Sequence, residues 1–595
     1  MDSSSITLSA RNPGRTAKAF TSADYLSTRL GRPSHESDHF KLTASGMVDA
    51  GLTAAAELTA RFTLGVPPLD PEIEGMTGEF SLKIAIRRAN GVISLTAGGK
   101  DLTAGLTYSE VDHADEGILR VPATIGHDLT VAADLRTVDP TQNSYIQVDV
   151  TAMHFARDFR TPVILLPGIF GSFVPNGTGN NSSYQHFLTQ PGLSPQLLAL
   201  DPLLHTYDGM VNALVTSGYV LNEDLFLAPY DWRLPVAPES ADPSSYDGVI
   251  PRSAAELAAP RPYGDYLYGI DYLGYALRRA SEAWFNNDFF IGGSDAYPNT
   301  AAWNEAITLQ KVDIIAHSMG GLVAQSYIQS TAYGQSYPTG IGVNGDAGFS
   351  LKMPTVDHLI TIGTPYLGAA KAWNPWHDNW TDDFAYKTVL AMVLDQAWET
   401  LRKGTPIVGG GEDLEPSAYS NDEAGRLRFI HDYARGIRDL LPAYDGFAAN
   451  FDPARADPDA VNYLARDLQA GKFVNKVGHA LFVVGWEYST IQTVVRHVGT
   501  GYDGGVVPFG SFRGRTPAAG EVWYESQAGT QNGDGTVPLA SALAPHLAGQ
   551  GGTLFQEDQG DAEHSPLMGN ADVLRVVLAQ LGRDTPCRST STRWA

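Results

Sequence analysis

Val312-Asp313-Ile314-Ile315-Ala316-His317-Ser318-Met319-Gly320 is an apolar run that ends on a serine between small residues. Buried β-strands of a parallel sheet read as such runs, and a serine at the strand's end followed by a glycine-rich helix start reads as a strand-to-helix elbow. The turn is strained, so the residues two before and two after the serine must be small for the backbone to pass itself. Ala316 and Gly320 meet that need, although alanine stands where such turns usually carry glycine. The helix expected from Gly321 onward, through Leu322, Val323, Ala324 and Tyr327, would aim its N-terminal amides at an oxygen reacting with Ser318.

Working outward, the pattern from Thr161 is one of short apolar strands separated by helices, which predicts an α/β unit with a mainly parallel sheet. The expected strands are Val163 to Leu166, Leu225 to Leu227, Val312 to Ala316, His358 to Ile362, Ala480 to Val484 and Gly552 to Phe555. A long helix is expected between Tyr263 and Phe285. Residues 368 to about 478 form a mostly helical insertion between two strands, which reads as a cap. It carries Trp373, Trp376, Trp380 and Trp398; these either grip an acyl chain or an interface, or form the cap's own core.

Upstream the period changes. Leu82, Ile84 and Ile86 alternate with Lys83, Ala85 and Arg87, and Asn90-Gly91 separates them from Val92-Ile93-Ser94-Leu95, which predicts a β-hairpin with a tight turn. The alternation continues through Leu129, Val131, Ala133 and Leu135 and through Ile146, Val148 and Val150. Residues 39–157 therefore read as an all-β accessory domain, 158–582 as the α/β domain, 1–38 as a segment without order and 583–595 as a polar tail.

With 595 residues, 43% hydrophobic and 18% charged, the chain is globular and too long for one ordinary core. Its net charge of -25 argues against nucleic acid and against electrostatic docking on anionic lipid. The single cysteine, Cys587, excludes an internal disulfide and a cysteine metal site. No signal-like start and no membrane-spanning apolar run are legible, so the default expectation is a soluble, cytoplasmic protein, with export by another route left open.

A serine nucleophile needs a base and an orienting acid. Asp534, in the glycine-rich loop Asn532-Gly533-Asp534-Gly535-Thr536-Val537-Pro538, and His564, after the last strand and before an amphipathic helix, follow Ser318 in the order serine, acid, histidine. His317 is expected to point away from the serine, and His546 to sit in a loop before the final strand. The turn Pro167-Gly168-Ile169-Phe170-Gly171-Ser172 follows the first strand, so the amides of Ile169 and Met319 are the expected oxyanion donors. Losing one such donor typically costs roughly 3 kcal/mol. No cofactor or metal is expected.

Several of these segments resemble one family, that of lecithin:cholesterol acyltransferase, the lysosomal phospholipases and the phospholipid:diacylglycerol acyltransferases. They are Pro162 to Ser172, Gly218-Tyr219-Val220 with Ala228-Pro229-Tyr230-Asp231-Trp232-Arg233, Gly363-Thr364-Pro365-Tyr366-Leu367-Gly368, and Asp534 to Leu539 with Ser541. The resemblance spans residues 161 to about 582. It implies an α/β-hydrolase fold with a helical cap, and Ser318, Asp534 and His564 as a triad with Ile169 and Met319 as oxyanion donors. It also implies an ion pair of Asp231 with Arg233 that buttresses a strand end. The implied reaction is acyl transfer from a lipid ester to water or an alcohol. The apolar residues of the 368–478 insertion add the expectation that long acyl chains are preferred, and the chain's own acidity the expectation of a neutral or zwitterionic rather than an anionic surface. The secreted animal members carry disulfides, which the lone Cys587 rules out here. The competing expectation is a binding or scaffold protein with a degenerate hydrolase domain.

Overall fold

The computed structural model describes all residues except 1–5, 11–17, 25–39, 49–56, 66–76, 111–112, 125–127, 140, 158–160, 176–181, 240–246, 262–264, 288, 291–307, 339–349, 379–383, 500–518, 521, 530–531, 558–561 and 583–595. Trp380, Cys587 and the expected polar tail lie outside the described residues. The chain divides into two compact units, Met1–Arg160 with Glu282–Thr308 and Gly342–Ala347, and Thr161–Ser281 with Leu309–Ile341 and Gly348–Ala595.

The first unit is built from two antiparallel sheets. One is ordered Ile6–Ala10, Glu57–Gly65, Asp128–Thr137, Gly91–Ala97, Lys100–Asp101. The other is ordered Lys18–Asp24, Phe40–Val48, Ser144–Arg157, Thr77–Ala89, Ala114–Thr124, Thr107–Ser109. Alternate residues are buried as a period of two requires: Leu82, Ile84, Ile86, Ile146, Val148 and Val150 in the second sheet, Leu95, Leu129, Val131, Ala133 and Leu135 in the first. Two short strands fall inside the 1–38 segment expected to lack order, because ladder bonds come from the backbone and need no apolar periodicity.

The expected hairpin at Asn90-Gly91 is not one. Thr77–Ala89 and Gly91–Ala97 do not pair with each other; they belong to different sheets, and Asn90 is the corner between them. Asn90 takes φ 53°, while Gly91 does not take the positive φ that a type I′ turn demands. Its amide instead bonds across the corner, Nδ2 donating to Asp139 O at 2.6 Å and to Ser144 Oγ at 2.9 Å, and Oδ1 accepting from Asp139 N at 2.9 Å. Gly91 is needed for space, since a Cβ there would stand 2.5 Å from Leu135.

The second unit is mixed α/β around a six-stranded sheet that is parallel throughout. Its strands are β1 (Val163–Leu166), β2 (Leu225–Leu227), β3 (Lys311–His317), β4 (Thr355–Ile362), β5 (His479–Gly485) and β6 (Thr553–Glu557), in the order β2-β1-β3-β4-β5-β6. All six expected strands are present, each within a few residues of its expected ends. Nearly every residue of β1, β3 and β5 is buried, because helices cover both faces. Met210 and Leu214 of the helix Asp208–Thr216, with Val573, Val576 and Val577 of the helix Ala571–Gln580, pack with Val163, Ile315, Ile360 and Val483. The helix Met319–Ile328 is buried along its whole length. The expected long helix runs Gly269–Asn287.

The insertion after β4 is helical, with Phe384–Arg402 and Glu423–Tyr433 as its longest helices. Its described tryptophans, Trp373, Trp376 and Trp398, are buried among other aromatic side chains. Trp373 stacks on His377 and meets Phe447, Phe451 and Tyr524, Trp376 stacks on His431 at 3.8 Å, and Trp398 packs on Phe429. An antiparallel ribbon, Thr490–Val498 with Val522–Gly529, follows β5; its β-branched run Thr490, Ile491, Thr493, Val494, Val495 favours a strand.

Candidate active site

The carboxyl ends of β1, β3, β4, β5 and β6 bring the sequence-predicted residues together. Ser318 follows β3 at φ 52° and ψ -128°, a conformation costly for any residue with a side chain. Small neighbours make it feasible: a Cβ on Gly320 would stand 2.4 Å from Pro167 O, and one on Gly168 would stand 2.6 Å from Ser318 Cβ. Ser318 N donates to Ile362 O at 2.9 Å, anchoring the turn to β4.

Ser318 Oγ lies 2.8 Å from His564 Nε2, and His564 Nδ1 lies 2.7 Å from Asp534 Oδ2. Because the carboxylate only accepts, His564 carries its proton on Nδ1 and offers the Nε2 lone pair to the serine hydroxyl. Asp534 is buried, and its other oxygen accepts from Thr536 N at 3.0 Å and Val537 N at 2.7 Å. The backbone repeats the link, His564 N donating to Asp534 O at 2.9 Å. The acid loop is tied to the turn after β4 by Ser541, whose hydroxyl donates to Gly368 O at 2.7 Å and accepts from Leu367 N at 2.9 Å.

The turn after β1 places Ile169 beside Ser318, both lining one cavity of about 110 Å³. Gly168 N donates to Tyr207 Oη at 2.7 Å, whereas among the described residues neither Ile169 N nor Met319 N takes a backbone acceptor. These two amides are thus uncommitted, as an oxyanion site requires. The same cavity is lined by Phe170, Leu204, Pro365, Val537, and, from the insertion, by Ala369, Lys371, Ala372 and Leu440. None of the insertion's described tryptophans reaches it. Sequence reading missed Lys371, which is buried with Nζ 3.2 Å from Thr536 Oγ1.

His317 lines the same cavity as Ser318, and it is not idle: its ring lies between Tyr207 and His564. Burial, with the neighbouring His564, lowers its pKa from the usual value to about 3, so it is neutral. His546 sits on the short helix Ala544–Leu547 rather than in a loop. Asp231 and Arg233 form the expected ion pair, Nε to Oδ1 at 2.7 Å and Nη2 to Oδ2 at 2.6 Å, fully buried past the end of β2. Arg233 also donates to Tyr433 Oη at 2.8 Å and lies 4.0 Å over the Phe187 ring, so its charge is satisfied on several sides.

Among the described residues, Asp313, Asp357 and His358 bring metal-type ligand atoms within 4.8 Å of one another. They lie at the amino ends of β3 and β4, away from Ser318. Lys311 Nζ, 2.7 Å from Asp357 Oδ1, and His358 Nδ1, 2.9 Å from Asp313 Oδ1, already satisfy these carboxylates. No described helix is long and apolar enough to cross a membrane.

No protein-family model and no curated protein matches the chain. Alignments to solved structures include a GH31 α-xylosidase of Xanthomonas citri, 6% identical over 20% of this chain and 16% of that one, TM-score 0.10. This chain thus spans about a sixth of the xylosidase's length. They also include family two carbohydrate esterases of Cellvibrio japonicus, 11% identical over 71% of this chain and 98% of that one, TM-score 0.12, and of Clostridium thermocellum, 8% identical over 71% and 99%, TM-score 0.11. At such TM-scores none of them indicates a shared fold.

Proposed function

We propose that this chain is a serine-dependent acyl-ester hydrolase or O-acyltransferase with an α/β-hydrolase fold, working through an acyl-serine intermediate. One observation carries the reading: the unbroken hydrogen-bonded chain from Ser318 Oγ through both His564 nitrogens to the Asp534 carboxylate. In the proposed reaction Ser318 Oγ attacks the ester carbonyl as His564 Nε2 takes its proton. The carbonyl oxygen becomes an oxyanion facing the Ile169 and Met319 amides. The bond to the leaving alkoxide breaks as His564 returns the proton to it, and water or an alcohol then attacks the acyl-serine by the same route. The resemblance of residues 161 to about 582 to the lecithin:cholesterol acyltransferase and lysosomal phospholipase family supports a lipid ester as the donor.

The cavity favours a narrower reading of the acyl part. At about 110 Å³ it is smaller than typical ligand pockets of roughly 300–1,000 Å³, and its insertion wall is two alanines, a lysine and one leucine. This supports a short acyl group, against the sequence expectation of long ones. Labelling with a fluorophosphonate probe tests the class. Wild-type protein should be modified at Ser318, and Ser318→Ala should lose both labelling and ester turnover; modification at another serine, or turnover retained in Ser318→Ala, overturns it.

A further inference from the structure

Behind Ser318 lies a hydrogen-bonded chain that the proposed reaction does not use. Gly168 N donates to Tyr207 Oη at 2.7 Å, Tyr207 Oη lies 2.9 Å from His317 Nδ1, and His317 Nε2 lies 2.9 Å from the carbonyl oxygen of His564. The proton order is determined by chemistry. A carbonyl can only accept, so His317 carries its proton on Nε2; its Nδ1 must then accept, so Tyr207 donates to it; the Tyr207 oxygen in turn accepts from Gly168. Every step runs in one direction and every group is satisfied. Tyr207 and His317 are both buried, so an interrupted chain would leave polar atoms without water to replace the lost partner.

The chain joins three loops. Gly168 follows β1, His317 closes β3, and His564 follows β6, while Tyr207 immediately precedes the helix Asp208–Thr216. Gly168 is wedged between His317 of this chain and the nucleophile itself: a Cβ there would stand 3.2 Å from Ser318 Oγ and 3.3 Å from His317 Nδ1. Holding the Gly168 amide on Tyr207 sets the orientation of the turn that carries Ile169. Holding the His564 carbonyl sets the backbone from which the imidazole reaches Ser318.

We propose that Tyr207 and His317 are positioning residues, a buried relay that keeps the oxyanion turn and the backbone of His564 in register with Ser318. The proposal rests on the acyl-serine reading. Neither side chain is given a proton-transfer step, so the expected signature is loss of transition-state stabilisation without loss of substrate binding.

The test uses the full chain and a soluble activated ester, with fluorophosphonate labelling as a second readout. Tyr207→Phe should lower kcat by roughly 10²-fold, as misplacement of about 1 Å does, with KM little changed and labelling slowed in parallel. His317→Gln, which can still present an N–H toward the His564 carbonyl, should retain more activity than His317→Leu. The losses in Tyr207→Phe and His317→Leu should not multiply in the double variant, because the first break already disables the relay. Melting temperatures identify any variant that fails to fold, and if His317→Leu does so, Tyr207→Phe and His317→Gln decide alone. Wild-type kcat in Tyr207→Phe, a loss confined to KM, or multiplying losses would overturn the relay. If wild-type protein itself is not labelled at Ser318, the acyl-serine reading fails instead.

Discussion

Gly363 and His564 approach so closely that a Cβ on Gly363 would stand 2.9 Å from His564 Nδ1 and equally close to Asp534 Oδ2. Gly363 follows β4 at φ 60°, so both its conformation and its bareness are required. The imidazole–carboxylate pair rests directly on this backbone. Gly363→Ala should therefore push the pair off its axis and lower kcat by roughly 10²-fold. Steady-state kinetics with a circular-dichroism check of folding measures it; kcat within threefold of wild type would mean that the pair can shift without consequence.

The Asp534 carboxylate holds the His564 tautomer, and its amide isostere would hold the wrong one. Asp534→Asn is expected to fold and to lose roughly 10⁴-fold in kcat, by analogy with the acid of serine protease triads. Asp572→Asn, on an exposed turn of the last helix, serves as the control and should stay near wild type. Comparable losses in the two variants would remove Asp534 from its assigned role.

Acyl-chain selectivity follows from the cavity beside Ser318. Acetyl and butyryl esters of one alcohol should have higher kcat/KM than decanoyl and longer ones, because a chain that does not fit forfeits its burial energy, roughly 0.8 kcal/mol per CH₂. A series on neutral micelles and in free solution reads this directly. A steady rise with chain length would return the preference to long-chain lipid and require the wall of Ala369, Ala372 and Leu440 to open.

His317 also predicts a pH dependence of stability. Its folded pKa of about 3 is depressed below the usual 6.5, so between these values the unfolded chain binds a proton that the folded chain refuses. Stability is therefore held above about pH 6.5 and lost progressively as pH falls toward 3. The groups against its ring, Tyr207 and His564, offer no carboxylate to offset this. Denaturant unfolding from pH 7.5 to 4 should show a shallower decline in His317→Gln than in wild type. Equal slopes would show that the imidazole is not kept neutral by burial.

Much of the site was legible because its chemistry is local. The elbow at Ser318, the acid loop at Asp534 and the histidine before the last helix each announce themselves within a few residues, whereas the space that Gly168 and Gly320 must leave is set by Ser318 and Pro167, which only the fold brings beside them. The strands of the parallel sheet were equally plain, since burial on both faces leaves a continuous apolar run that cannot be mistaken for a loop. What failed was the reading of partners. Asn90-Gly91 has the composition of a hairpin turn, yet it is a corner between two sheets: pairing is decided by which distant strands, here 114–124, 128–137 and 144–157, compete for the same backbone edges.

The tryptophans of the insertion show the same division. Their apolarity was evident from sequence, but whether such rings face a substrate or one another depends on which side chains enclose them: Phe447 and His431 from distant turns of the insertion and Tyr524 from the ribbon beyond it. The sequence by itself determined the residue types, their order along the chain and the strand ends on which Ser318, Asp534 and His564 stand. Only the tertiary structure decided the distances between them, the smallness of the cavity and the partners of Tyr207 and His317, because hydrogen bonds and excluded volume act through space between segments that the chain separates by as many as 247 positions.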